Sequence, residues 1–168
     1  MEFWDLYNIN REKLNKIHLR DGKERIKSGE YHIVVNIWIV NSKNEILLTQ
    51  RHMNKTFPLK WECTGGSVLS GEDSFTGALR EVDEEIGITL TKENGKLIHS
   101  ITRKDDIKDI YLFFENINIK DTKLQEEEVI NIKWVKINEF NKMVKNNEIA
   151  EPILFDMGIL NKVIKWNQ

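Results

Sequence analysis

A layered α/β (α+β) domain is the fold class this sequence predicts, and three observations predict it. Strand-like runs such as YHIVVNIWIV, residues 31–40, alternate β-branched and aromatic side chains. A single amphipathic helical stretch, residues 73–87, interrupts the series of strands. Two more helical stretches then close the chain, the order expected of a sheet covered by helices. At 168 residues, 40% hydrophobic and 31% charged, the chain has enough apolar side chains for one core.

Residues 1–30 are the more polar part. EFWDLY and KIHLRD read as short strands about the turn-prone NINRE, an N-terminal hairpin extension to a main domain over residues 31–168. YHIVVNIWIV is followed by a turn at NSKN and a renewed strand pattern in EILLTQR, so a second hairpin is expected there. KLIHSITR, a polar turn at KDDIK, DIYLFFENI and VINIKWVKI continue the strands. NEFNKMVKN and EPILFDMGILNKVIKW supply the closing helices, the second with Pro152 in its first turn.

Lys and Arg total 25 against 27 Asp and Glu, and a net charge of -2 leaves no overall footprint for nucleic acid or an acidic membrane. Any anionic ligand must therefore be met locally. Cys63 is the only cysteine and forms no internal disulfide, and MEFWDLYNINREK lacks a basic-then-apolar leader, so a cytoplasmic protein is expected. The longest apolar run, IVV and IWIV on either side of Asn36, is too short to span a bilayer. Nothing in the pattern fixes an oligomeric state.

The chemistry concentrates in GGSVLSGEDSFTGALREVDEEIGI, Gly65 to Ile88. Asp73 or Ser74 suits a helix N-cap, and Gly87 stands where a helix stops in the left-handed conformation. Phe75, Leu79, Val82 and Ile86 share one face, with Ala78 at its margin. Glu81, Glu84 and Glu85, related by i, i+3 and i+4, bring three carboxylates onto another face, with Arg80 four residues before Glu84. Like charges at these spacings cost a few tenths of a kcal/mol each, roughly, so the cluster calls for a counter-charge. An all-oxygen set suits Mg²⁺ or Mn²⁺ better than Zn²⁺. A solvated face is the ordinary fate of a Glu-rich helix. Gly65, Gly66 and Gly71 set this one apart, because small residues let backbone approach a ligand closely. Gly77, inside the helix, is assigned no role.

Read as a pattern, Gly66, five residues, Glu72, seven residues and then Arg80-Glu81-Val82-Asp83-Glu84-Glu85-Ile86-Gly87-Ile88 resembles the Nudix box, with every fixed position filled. LLTQR and WECTGG before it extend the resemblance over residues 31–166. It implies a Nudix-type α/β/α sandwich with a mixed β-sheet and a loop-helix-loop catalytic motif holding Mg²⁺. The implied activity is Mg-dependent hydrolysis of a phosphoanhydride (diphosphate) bond in a nucleoside diphosphate derivative. Residue by residue, it implies Glu81, Glu84 and Glu85 as metal ligands with the Gly66 carbonyl as a backbone ligand. Glu81 is the implied general base, Arg80 would orient the acids, Glu72 would brace the loop, and Gly87 would close the helix. The implied partner is a small-molecule nucleotide or diphosphate, with capped RNA among the candidates.

The flanking segments are also similar to isopentenyl-diphosphate isomerases, which share this fold. His32 matches one of their ligand histidines and Cys63 lies near their catalytic cysteine, but Gly65 and Ser67 stand where that chemistry needs Cys and His. Hydrolysis is therefore favoured over isomerisation and over a non-catalytic nucleotide-binding module, which would be expected to lose carboxylates from the box. Arg51 and Glu127, the latter within Glu126-Glu127-Glu128, are further candidates for substrate contact. Asp109 reads as a turn residue, Trp38 and Trp134 as core, and His18, His52 and His99 show no metal-ligand spacing.

Overall fold

A computed structural model describes residues 2–166. Strands β1 (Phe3–Tyr7) and β2 (Lys13–Leu19) form a separate antiparallel pair, with Phe3 opposite Leu19 and Trp4 opposite His18. The remaining strands build one mixed, seven-stranded sheet: β3 (His32–Val40), β4 (Glu45–Arg51), β5 (Trp61–Glu62), β6 (Thr64–Ser67), β7 (Gly95–Thr102), β8 (Asp106–Phe114) and β9 (Val129–Lys136). The main path runs β5-β4-β3-β8-β7, while β6 pairs with β3 and β9 with β4.

The expected hairpin between β3 and β4 is reduced to its tip, since the two strands pair only at Val40 and Ile46. Beyond that point they part. β3 runs parallel to β8 along its whole length and antiparallel to β6, whereas β4 takes β9 and β5. The reason lies in β3, whose two faces are both apolar, the mark of a strand that must be covered on each side. Ile33, Val35, Ile37 and Ile39 pack with helix α1 (Ser74–Ile86), while Trp38 and Val40 pack with residues of α2 (Ile137–Lys145) and α3 (Leu154–Val163). Helices thus cover both faces of the sheet.

Three further differences from the sequence expectation are local. β5 and β6 lie in WECTGGS, too short and glycine-rich to show alternation. The polar turn before β8 is shorter than KDDIK, because Asp106, Ile107 and Lys108 belong to the strand and are buried. The last helix is preceded by a 3-10 turn, Glu151–Ile153, and stops at Val163. Buried Lys108 is tolerated because its ammonium meets Asp156 of α3 at 2.5 Å, and Asp156 also accepts from Asn36 Nδ2 at 2.7 Å and Trp38 Nε1 at 3.0 Å. A fully partnered charge of this kind fixes where α3 lands on the sheet. No described helix is long and apolar enough to cross a membrane.

Candidate active site

Helix α1 is delivered with both ends capped. The Asp73 side chain accepts from the Thr76 backbone N–H at 2.7 Å, and Gly87, at φ 69°, donates its N–H to Asp83. Ser74 is engaged elsewhere. With Tyr111 it forms a buried hydrogen-bonded group around Asp109, and Arg11 from the turn of the N-terminal hairpin completes it. Asp109 is therefore not a turn residue but a fully buried carboxylate in mid-strand. The hairpin holds the loop before the helix as well, because Asp5 accepts from Ser70 Oγ and from the Gly71 N–H, both at 2.9 Å. Ala78, Val82 and Ile86 bury completely on the sheet, while Phe75 and Leu79 are half-buried at its margin. Each buried Val or Ile contributes about 1.5–3 kcal/mol, which fixes the rotation of the helix and so the direction of its acids.

Arg80 is the hub of those acids. Its Nε donates to Glu72 at 2.8 Å, one terminal nitrogen reaches Glu81 at 3.0 Å and Glu84 at 2.9 Å, and the other reaches Glu72 and the Ser67 carbonyl. Glu72 in turn accepts from the Leu69 N–H at 3.0 Å, which ties the loop to the helix. The three box glutamates are not equivalent in environment. Glu84 is exposed, Glu81 is half-buried and Glu85 is only 4% exposed. Burial pushes the Glu81 carboxyl up to about 7 although Arg80 draws it down, so desolvation outweighs the ion pair. Glu85 is pushed well above the usual carboxylate range by burial, with Lys55 acting against it.

These groups line a cleft of about 580 Å³. Gly66 forms part of its floor, and a Cβ built there would lie 2.3 Å from the Glu81 Cδ, so only glycine lets the strand pass this close to the carboxylate. Arg51 lines the cleft, but its guanidinium is engaged by Glu62 and the Thr56 carbonyl. Glu127 is exposed and outside the cleft; Glu128, its neighbour, lines it and pairs with Lys55. Sequence reasoning missed Lys55, Gln125, Glu2 and Arg20, which also line the cleft. They come from elements distant along the chain, and no local spacing could have marked them.

Among the described residues, no three carboxylate, imidazole or thiol side chains stand close enough together to enclose an ion as they lie. Arg80 holds two of the glutamates to itself. The donor set nonetheless fits a hard divalent cation: it is all oxygen, and the Glu85 carboxylate lines the cleft without an ion-pair partner among the described residues, while its backbone carbonyl accepts from the Gln125 N–H. The isomerase similarity fares differently. Cys63 is 2% exposed in the core under α2 and α3, and burial pushes its thiol well up, the state of an inert structural cysteine. His32 is buried on Trp4, with ring centroids 4.0 Å apart, and belongs to no group of three or more metal-ligating side chains among the described residues.

A mixed sheet between helices, with a glycine-floored loop feeding a helix of glutamates organised by one arginine, defines the class of Nudix-fold proteins. The chain belongs to that family: residues 30–156 match the NUDIX domain model. It is 34% identical over 150 residues to an uncharacterised Nudix hydrolase of Listeria innocua, covering 88% of each chain. It is 33% identical over 163 residues to an uncharacterised Nudix hydrolase of Listeria monocytogenes, covering 96% of this chain and 95% of that one. Among solved structures, DR0079 from Deinococcus radiodurans superposes with a TM-score of 0.73 at 22% identity, over 93% of this chain and 96% of the other. That likeness is one of fold. The relatives give no support to the isomerase similarity of the flanking segments.

Proposed function

We propose that the protein is a divalent-metal-dependent hydrolase that cleaves the diphosphate linkage of a nucleoside diphosphate derivative. The observation that carries this reading is the pair Glu81, half-buried, and Glu85, buried, both lining a polar cleft, with the Glu85 carboxylate free of any ion pair among the described residues. Glu85, Glu81 and Glu84, with the Gly66 carbonyl, are the groups that would hold Mg²⁺ or Mn²⁺. Such an ion would supply neutralising charge to the diphosphate oxygens and lower the pKa of water. Glu81 lines the cleft, and as a carboxylate held there by Arg80 it would take the proton from the attacking water. The water oxygen then bonds to phosphorus as the bridging P–O bond breaks. Arg80 keeps Glu81 and Glu84 aimed at the cleft, and Glu72 keeps Arg80 in place. With its single thiol buried and no spanning helix among the described residues, the chain is read as a cytoplasmic enzyme.

The test is turnover of a panel of nucleoside diphosphates, triphosphates, dinucleotides, nucleotide sugars and capped RNA with Mg²⁺ in ¹⁸O-labelled water. At least one member should yield a phosphate-containing product carrying ¹⁸O. Glu81→Gln should lower kcat on that member by about 100-fold or more, the scale of a lost general base, with circular dichroism unchanged. Turnover by Glu81→Gln at the wild-type rate, or isomerisation of isopentenyl diphosphate with no hydrolysis of any member, overturns the reading.

A further inference from the structure

Arg20, Arg51, Lys55 and Arg80 are the basic residues that line the cleft of the box glutamates. A diphosphate carries anionic oxygens beyond those a metal ion meets, and these call for guanidinium or ammonium partners. Three of the four cations are already committed. Arg80 is held by Glu72, Glu81 and Glu84, Arg51 by Glu62 and the Thr56 carbonyl, and Lys55 by Glu128. Their side chains are only 14–20% exposed. Arg20 differs. Its side chain is 58% exposed, and its one acidic partner among the described residues, Glu2, is itself 44% exposed and lines the same cleft. A pair so open to water is weakly held and gives way to a stronger anion.

Arg20 is nonetheless fixed in place. It follows the last residue of β2, and its backbone N–H donates to the Glu2 carbonyl at 3.0 Å. The guanidinium carbon lies 5.7 Å from the centre of the Trp4 ring, within cation–π range, which restrains the long side chain before any ligand arrives. The hairpin beneath it is fastened to the loop that leads into the glutamate helix. The Phe3 carbonyl accepts from the Ser70 N–H at 2.7 Å, and Asp5 accepts from Ser70 Oγ and the Gly71 N–H at 2.9 Å each. A guanidinium so mounted reaches from Glu2 to a phosphate oxygen by side-chain rotation alone. The hairpin precedes residues 30–156, which match the family, so the family pattern assigns nothing to Arg20.

We propose that the N-terminal hairpin is part of the substrate site, and that Arg20 exchanges Glu2 for an anionic oxygen of the substrate's diphosphate. Arg20 is on this account a binding residue supplied from outside the glutamate motif. The proposal rests on the hydrolase reading for the identity of the anion, but its test does not depend on turnover.

Methylenediphosphonate carries the diphosphate oxygens on a bridge that water does not cleave, and its binding is measured by isothermal titration in Mg²⁺. Because the pair is exposed, Arg20→Ala, Arg20→Lys and Glu2→Gln should all melt close to the wild-type temperature. Arg20→Ala should weaken binding by about tenfold, the worth of one charge-assisted hydrogen bond, and Arg20→Lys should recover part of the loss. Glu2→Gln should bind at least as tightly as the wild type, since it removes a competitor for the guanidinium. On the panel member that is hydrolysed, Arg20→Ala should raise KM by a similar factor with kcat unchanged, the mark of lost ground-state binding. Unchanged binding in Arg20→Ala overturns the proposal, as does a wild type that binds no methylenediphosphonate. A loss in Glu2→Gln equal to that in Arg20→Ala also overturns it, because a pair that merely holds the hairpin behaves in that way. Hydrolysis of no panel member, with Arg20-dependent binding intact, defeats the hydrolase reading alone.

Discussion

A methyl group added at Gly66 meets not backbone but the carboxylate of Glu81, the far end of a flexible side chain, at 2.3–2.4 Å. The two consequences of Gly66→Ala therefore separate. The Glu81 side chain can swing away at little cost to the fold, but it leaves the position from which it would act. Expected is a melting temperature close to wild type together with a fall in kcat of about 100-fold, the order of loss seen when a catalytic group is displaced by an ångström. A second residue, His32, couples stability to pH. Burial lowers its pKa from 6.5 to about 4, so as pH falls the unfolded chain takes up the proton before the folded one does. The contribution to stability is full above pH 6.5 and is lost as pH falls through the window towards 4, by roughly 3 kcal/mol in all. His32→Phe keeps a ring on Trp4 and removes the titration. Urea midpoints taken from pH 7 to 4 should thus fall less in the variant than in the wild type, and parallel curves would refute the assignment.

Between elements, the contacts that matter most tie the N-terminal hairpin to the loop before the glutamate helix and to Asp109 of β8, which Ser74 of that helix also meets. Arg11 is about a third exposed while its partner Asp109 is completely buried, so removing the arginine strands a carboxylate among Ser74, Tyr111 and the sheet. Arg11→Ala is expected to destabilise by roughly 2 kcal/mol, below the usual cost of breaking a buried pair because the arginine is partly solvated. Asp109→Asn placed on top of it should recover part of that loss in denaturant melts, which simple loss of hairpin packing does not predict. The helix itself was legible in the sequence, since cap, glycine stop and acid spacing all lie within a few residues of one another. That Glu85 turns inward could also have been read, because it follows Val82 by three residues and precedes the buried Ile86. Arg80 as a hub for Glu72 as well as Glu84 was half legible, the Glu84 pair by spacing and the Glu72 pair only once the loop folds back. Lys55, Glu128 and Arg20 reach the cleft from a loop, a turn and a hairpin strand end, and only the fold assembles them. Gly77 was assigned nothing, yet a Cβ there would sit 3.0 Å from Val68 Cγ2, so the returning loop explains it.

At the scale of the molecule, strand positions were readable from alternation but their pairing was not. The adjacency of β3 and β4 suggested a hairpin, whereas the two strands separate after one residue pair and each finds its main partner far along the chain. The apolar residues at successive positions in IVV and IWIV of β3 were the available sign that a neighbour in sequence would not suffice. The parallel seam that joins His32 to Asp106 and Val40 to Phe114, with the β4–β9 seam that joins Glu45 to Lys136, also bears on how the chain reaches this state. Both seams enclose the entire glutamate motif within large loops, and the entropy of closing them is spent before any ladder contact repays it. The centre of the sheet is therefore slow to form, while the β1–β2 pair, closed by a short turn, opens at the cost of its Asp5, Arg11 and Tyr7 contacts but without breaking either seam. In deuterated solvent, the backbone amides of β1 and β2 are expected to exchange through this local opening well before those of β3 and β8, whose exchange should keep pace with global unfolding as denaturant is added.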